Sequence, residues 1–567
     1  MLLVRSAWQS PPQFDRDLSR ILSLPIRPEI SEADRRTMVE AMTGMLRTPS
    51  GQQTLREVQA QALLEIAELG GAFVPVRVAG GKTLISLLAP RVLGDRGARP
   101  LLIVPAALAE KTRRAHRTLS IHWQIPPFFR VMSYQEISRK DGLRAVEQYA
   151  PTLIVCDEAH YLKNPSAGVT KAVRSFMREN PGTAFIALTG TVSKRSLKDF
   201  AHTCQWSLGM GAPVPVDFHA IASWSFVLDE RRADPDAPPP DVGALRALVE
   251  PGRPHDVRHA RQGFQRRFKA TPGVITAAEP PLDIAIVVSA LTPEVPLEIQ
   301  EAQARVRATW ETPDGEVFEE AVAMWRHQRE LARGFCYVWD PPPPLPWKLT
   351  RAEYHRAVRA ILSGNMRNLH VPSAVVRAID DGLYPEARGP LEAWRAIRDT
   401  FTPRTRAIWI SDYAITAARD WLEVRDRRPS IVWVEHRELG TRLAEATGLP
   451  YYASQALDAK TGRSILDHPS GRHAIASIAS VKEGFDLQHH FASALYLAAP
   501  TTAIAQEQSL GRILREGQPE YSIDAAYFLA CEEDRIALRG SMADARFALE
   551  TLGQDQALLR ADWTFDL

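Results

Sequence analysis

The sequence predicts an α/β protein with two parallel-sheet domains in tandem and a largely helical insertion between them. Three observations carry that reading. Short apolar runs alternate with amphipathic stretches up to about residue 206, and again after about 401. Between those limits the rhythm lapses. The chain has 567 residues, too many for a single hydrophobic core.

Taken in order, residues 1–50 read as an N-terminal extension with a helical stretch, SEADRRTMVEAMTGML, for which Ser31 is a plausible N-cap. In the first α/β domain, 51–206, LLIV (101–104), TLIVCD (152–157) and AFIALTG (184–190) read as buried parallel strands. Continuous apolar runs of this kind need cover on both faces. QAQALLEIAEL, AALAEKTRRAH and KAVRSFMREN supply the helices between them. Residues 207–400 hold a proline-rich acidic linker (LDERRADPDAPPPD), a basic stretch from Arg253 to Lys269, a proline run (WDPPPPLPW) and helix-like segments such as RAEYHRAVRAILSG. Over 401–567 the α/β rhythm returns in SIVWVEH, HAIASIAS and ASALYLAAP, with a tail after the last motif.

Composition narrows the function classes. Hydrophobic residues make up 45% and charged residues 24%, so large cores are affordable. The formal net charge is only +2, so any nucleic-acid surface must be a local patch. Cys156, Cys204, Cys336 and Cys531 form no CxxC pair, which argues against zinc ribbons and disulfide frameworks and for a reducing compartment. The first residues lack the apolar core of a signal peptide, and no run reaches the roughly 18 apolar residues of a membrane span. The expectation is a cytoplasmic monomer with no membrane partner.

Two motifs carry chemistry. In VRVAGGKTLI, Gly80 and Gly81 let backbone N–H groups approach a phosphate, and the following helix start adds a favourable dipole. Lys82 would reach the β- and γ-phosphates of ATP, and Thr83 would hold Mg²⁺. A Gly-Gly turn that merely caps a helix accommodates the same residues, and Val76 stands where a standard phosphate loop has its first glycine. The second motif, DEAH, follows the strand TLIVC. Asp157 then emerges at the carboxyl edge of a sheet, where a magnesium-holding acid belongs, and Glu158 is placed to polarise a water for attack on the γ-phosphate.

Together AGGKT, DEAHYLKN, ALTGT and QSLGRILREGQ resemble the motor ATPases of helicase superfamily 2, and most closely the Swi/Snf-type branch and its small bacterial and phage relatives. The resemblance covers roughly 51–206 and 401–535, implies two RecA-like domains, and implies ATP and Mg²⁺ as cofactors. It further implies that Gln59 in LREVQ reads adenine and that Gln508 contributes to nucleotide binding. Pro105, Ser133, Tyr134, Thr189, Thr191, Gly484 and Asp486 would contact nucleic acid or couple it to the nucleotide state. Arg512 and Arg515, three apart, would share a helix face and point into the interdomain cleft as arginine fingers. The pattern departs from the family at Val192 and at Val481-Lys482. The implied activity is ATP-driven translocation or unwinding, with duplex DNA the favoured partner and single-stranded DNA a second. An ATP-gated clamp without processive motion, or an RNA helicase, would use the same motifs. The basic stretch is a candidate phosphate-contacting face, or a solvated one. Trp310, Trp325, Trp339 and Trp347 are candidates for base stacking or for packing.

Overall fold

The computed structural model describes residues 12–76, 80–190, 196–229, 242–276, 282–318, 320–364, 372–482 and 484–567. Five strands form the first sheet: β1 (Ala72–Val74), β2 (Pro100–Val104), β3 (Arg130–Ser133), β4 (Leu153–Asp157) and β5 (Ala184–Leu188). All their pairings are parallel, and the order is β1-β5-β4-β2-β3. Alternate residues of each strand face opposite sides. Leu101, Ile103, Ile154, Cys156 and Phe185 enter one core, while Leu102, Val104, Leu153, Val155 and Ile186 enter the other. Both faces are therefore buried, which is why these strands read as unbroken apolar runs.

Beyond the first sheet come β6 (Ala285–Leu291), then β7 (Phe335–Trp339) and β8 (Thr405–Trp409), which pair antiparallel with each other. The remaining strands are β9 (Ser430–Val434), β10 (Tyr451–Tyr452), β11 (Ala474–Ser477), β12 (Ser493–Tyr496), β13 (Ser522–Phe528) and β14 (Asp562–Trp563). All six join β6 in a second parallel sheet of seven strands, ordered β10-β11-β9-β12-β13-β6-β14. Ile431 and Trp433 face one core, Val432 and Val434 the other.

Parts of the stretch 207–400 join each of the two sheets, and its helices Leu345–Gly364, Pro372–Asp380 and Arg388–Ile397 pack on one another around Val358, Ile379 and Leu391. Trp224, Phe264, Phe268 and Val274 are buried in a core of the first sheet, whereas β6 pairs along seven residues with β13 in the second. The chain also returns at its end. Leu552 is buried in a core of the first sheet, and Gln554 Nε2 donates to Pro75 O at 3.0 Å, just after β1. β14 then closes the far edge of the second sheet.

The basic stretch forms helix Val257–Ala270, and its cations are largely engaged within the protein. Arg267, 8% exposed, donates to the carbonyls of Ile21, Leu24 and Pro25. Arg261 bonds Leu228 O and Glu550, and Arg266 and Arg253 share Glu250. Trp347 is buried against Trp394 and Phe401, Trp339 packs edge-on to Trp347, and Trp325 lies under the Arg329 guanidinium; Trp310 alone of the four is exposed. No helix among the described residues is long and apolar enough to cross a membrane.

Candidate functional site

The carboxyl ends of β1, β4 and β5 place the motif residues. Val74 and Asp157 both pair with Leu188, so β1, β4 and β5 end side by side. Gly81 adopts φ 76°, the left-handed conformation that glycine tolerates best, and starts helix Lys82–Leu93. A β-carbon there would meet the Gln59 amide at 2.2 Å. Gln59 is 5% exposed; its Nε2 donates to Gly81 O at 3.2 Å and its Oε1 accepts from Arg56 N at 2.8 Å. The residue expected at adenine thus also braces the loop. Gly80 is buried and Thr83 half-buried beside it.

Glu158 is the centre of the constellation. It too is left-handed, at φ 56°, a strained position for a side-chain-bearing residue. Its Oε1 lies 3.9 Å from Lys82 Nζ and its Oε2 3.2 Å from His160 Nδ1. Lys82 Nζ also donates to Val76 O at 3.2 Å. Burial pushes the Glu158 carboxyl up, but the Lys82 charge, His160 and the Arg512 charge outweigh it and hold the group near the bottom of the carboxylate range, at about 2. Glu158 is therefore ionised at neutral pH. Asp157 moves the other way, to about 6, through burial and then the adjoining Glu158 charge. A buried carboxylate raised in this way is one that a divalent cation would stabilise.

His160 Nδ1 also lies 3.4 Å from Thr189 Oγ1, so one ring nitrogen faces both the DEAH acid and the ALTG hydroxyl. The contact to Thr189 has hydrogen-bond geometry, while Glu158 Oε2 faces the ring as a nearby charge. His160 was not among the sequence candidates, although it stands inside the motif; its role emerges only from the β4–β5 register. Thr191, the other hydroxyl of that motif, lies outside the described residues, as do 77–79 of the phosphate loop.

Ser133 and Tyr134 do not present a surface to a polymer. Ser133, 4% exposed, caps the short helix Tyr134–Ile137 through a reciprocal pair with Glu136. Tyr134, 2% exposed, donates its hydroxyl to Asp157 O at 2.7 Å and so holds the end of β4. The strand-end position that suggested a backbone contact instead points both side chains inward. Pro105 is buried at the end of β2.

On the second sheet the QxxGRxxR segment begins as helix Ala503–Leu510, which ends at Gly511. Arg512 and Arg515 therefore lie in the turns beyond it and do not share a helix face. Arg512, 5% exposed, donates to Gln508 O at 2.8 Å and Phe485 O at 3.0 Å, and its charge reaches Glu158. Arg515 is paired with Asp486. Gln508 is 1% exposed, and neither end of its amide finds a hydrogen-bond partner among the described residues. An orphaned buried amide is costly.

Two contacts join the sheets' loops, and sequence reasoning missed both. Lys111, on helix Ala109–Leu119, bonds Gly484 O and stands 3.5 Å from Asp486. Crowding by the protein pushes its ammonium down, and Arg512 and Arg515 add to this against the Asp486 carboxylate. Gly484 adopts φ 84°, and a β-carbon there would collide with Leu108. Arg56, three residues before Gln59, pairs with Glu516. Nothing in local spacing signals partners more than 370 residues apart.

No protein-family model matches this chain, and no curated protein matches it.

Proposed function

We propose that the protein is an ATP-hydrolysing, nucleic-acid-stimulated translocase built on two RecA-like domains in tandem, of the Swi/Snf-type branch of helicase superfamily 2, with duplex DNA as its track. One observation carries the reading. The buried Glu158 carboxylate lies 3.9 Å from Lys82, and the loops of the two sheets are joined close by through Lys111, which bonds Gly484 O and faces Asp486, the partner of Arg515 in the last motif. A hydrolytic base beside loops tied between two sheets is the arrangement that a motor needs, because motion of one sheet against the other then makes or breaks catalysis.

In this reading ATP is the substrate. The residues present fit it: the left-handed Gly81 turn before a helix start, the unpartnered amide of Gln508 and the raised Asp157 carboxyl each want what a magnesium nucleotide offers. Thr83 and Asp157 would hold Mg²⁺, which supplies charge neutralisation on the phosphates. Glu158 accepts the proton of the attacking water, Lys82 steadies the terminal phosphate, and Arg512 offsets the charge of the transition state. Arg515 holds Asp486 and, through it, the Lys111 contact. Four free cysteines suit the cytoplasm.

The test is the ATPase rate with no polymer, duplex DNA, single-stranded DNA and RNA, followed by triplex displacement. Duplex-stimulated hydrolysis with displacement is expected. Arg512→Ala should slow turnover by about 10³–10⁵ while nucleotide still binds. Stimulation by RNA alone would overturn the DNA track, and duplex stimulation without displacement would make the protein an ATP-gated clamp.

A further inference from the structure

A groove on the first sheet lies apart from every residue assigned above. It opens over β2 and β3, between helix Lys82–Leu93 and helix Ala109–Leu119, with a volume of about 220 Å³. Leu102, Phe129 and Val131 form its floor, Leu87 one wall, and Arg113 and Arg117 its rim. The rim is accessible, with the two arginine side chains 52% and 69% exposed. Helix Ala109–Leu119 carries Lys111, Arg113, Arg114 and Arg117 against Glu110 alone. Glu110 stands 3.5 Å from both Arg113 and Arg117, so one carboxylate is shared between two guanidinium groups and the rim keeps net positive charge.

Two further features belong to the same face. β3 is an edge strand of its sheet, and no strand among the described residues pairs with its outer side. Such an edge offers backbone donors and acceptors to an extended chain. Phe128, between Pro127 and Phe129 of the groove lining, is 82% exposed and adds apolar surface beside the groove.

Size separates the ligand classes. Small-molecule sites run from about 300 to 1,000 Å³, so this groove is too small for a cofactor and suits one large apolar side chain. We propose that it docks an extended acidic segment of a partner protein. One apolar side chain would seat against Phe129 and Val131, above the buried Leu102, the flanking carboxylates would meet Arg113 and Arg117, and the peptide backbone would run along β3. The inference does not depend on the ATPase reading.

The test is fluorescence anisotropy on the full chain with a labelled heptapeptide in which one phenylalanine has three acidic residues on each side. Saturable binding is expected. It should weaken at least about tenfold in the Arg113→Glu/Arg117→Glu variant, and as much when alanine replaces the phenylalanine of the peptide. Both arginines are surface residues, and an unchanged far-UV spectrum and melting curve would show that the variant folds. Three results would overturn the proposal: no binding, equal binding of the alanine peptide, or displacement by a short single-stranded oligonucleotide whose own binding needs the same two arginines. The last would assign the rim to nucleic acid.

Discussion

Glu158→Gln isolates the charge at the centre of the site, because the amide keeps the side chain's shape and removes only its base. Glu158 Oε1 is 3.9 Å from Lys82 Nζ. At an effective dielectric of about 20, a pair at that distance attracts by about 4 kcal/mol. Burying an ion costs several kcal/mol, which neutralisation returns. The two largely cancel, so the fold should hold and nucleotide affinity should stay within about threefold, or about 0.7 kcal/mol. Hydrolysis should not survive. A positioned general base contributes about 10²–10⁴ in rate, equal to about 3–5 kcal/mol of barrier. The measurement is single-turnover phosphate release beside a fluorescent-nucleotide titration at pH 7.5. Turnover within tenfold of the parent would refute Glu158 as the base. Lost nucleotide binding with an intact fold would move its role from the chemical step to the ground state.

Three other outcomes follow from the same geometry. Asp157 is raised to about 6, so protons compete with a cation below that pH; magnesium-nucleotide affinity should fall as pH drops from 7 to 5, and the dependence should flatten in Asp157→Asn when titrated calorimetrically. Tyr134→Phe removes the 2.7 Å bond to Asp157 O and should cost about 1–3 kcal/mol in urea unfolding while leaving DNA affinity unchanged; a selective loss of DNA binding would contradict its burial. Asp534, fully buried, accepts from Arg333 at 2.7 and 2.9 Å and from Arg329 at 3.2 Å, so Asp534→Asn should cost about 3–5 kcal/mol. Burial raises its carboxyl, but the Arg333 and Arg329 charges win and hold it low, so its stabilisation is present above the ordinary carboxylate pKa and lost as pH falls through the lower folded value; acid unfolding should be less steep in the variant.

Much of the fold was legible because the strand signal is local. LLIV, TLIVCD, AFIALTG, SIVWVEH, HAIASIAS and ASALYLAAP each coincide with an observed strand to within a few residues at the ends, since a strand buried on both faces must be apolar throughout. The short β1 and the more polar β3 carry no such run and were invisible as runs. β6 was hidden for another reason. Its seven residues are apolar enough, but they sit in a stretch dominated by helices, and only pairing with β13 makes them part of the second sheet.

For the site, the sequence alone determined the residue types and their order: glycines, lysine and threonine before a helix, two acids after a strand, a hydroxyl motif, then paired arginines. Tertiary structure decided what each polar group faces. It turned Ser133 and Tyr134 inward, occupied Arg267 with the carbonyls of Ile21, Leu24 and Pro25, and set His160 between Glu158 and Thr189. It ended a helix at Gly511, so that Arg512 and Arg515 part company, and it brought Lys111 to Gly484. The physical reason is range. Hydrophobic burial repeats with the period of the local backbone and is written in neighbouring residues, whereas a hydrogen bond or ion pair is satisfied by whichever group the fold brings near, however distant in the chain.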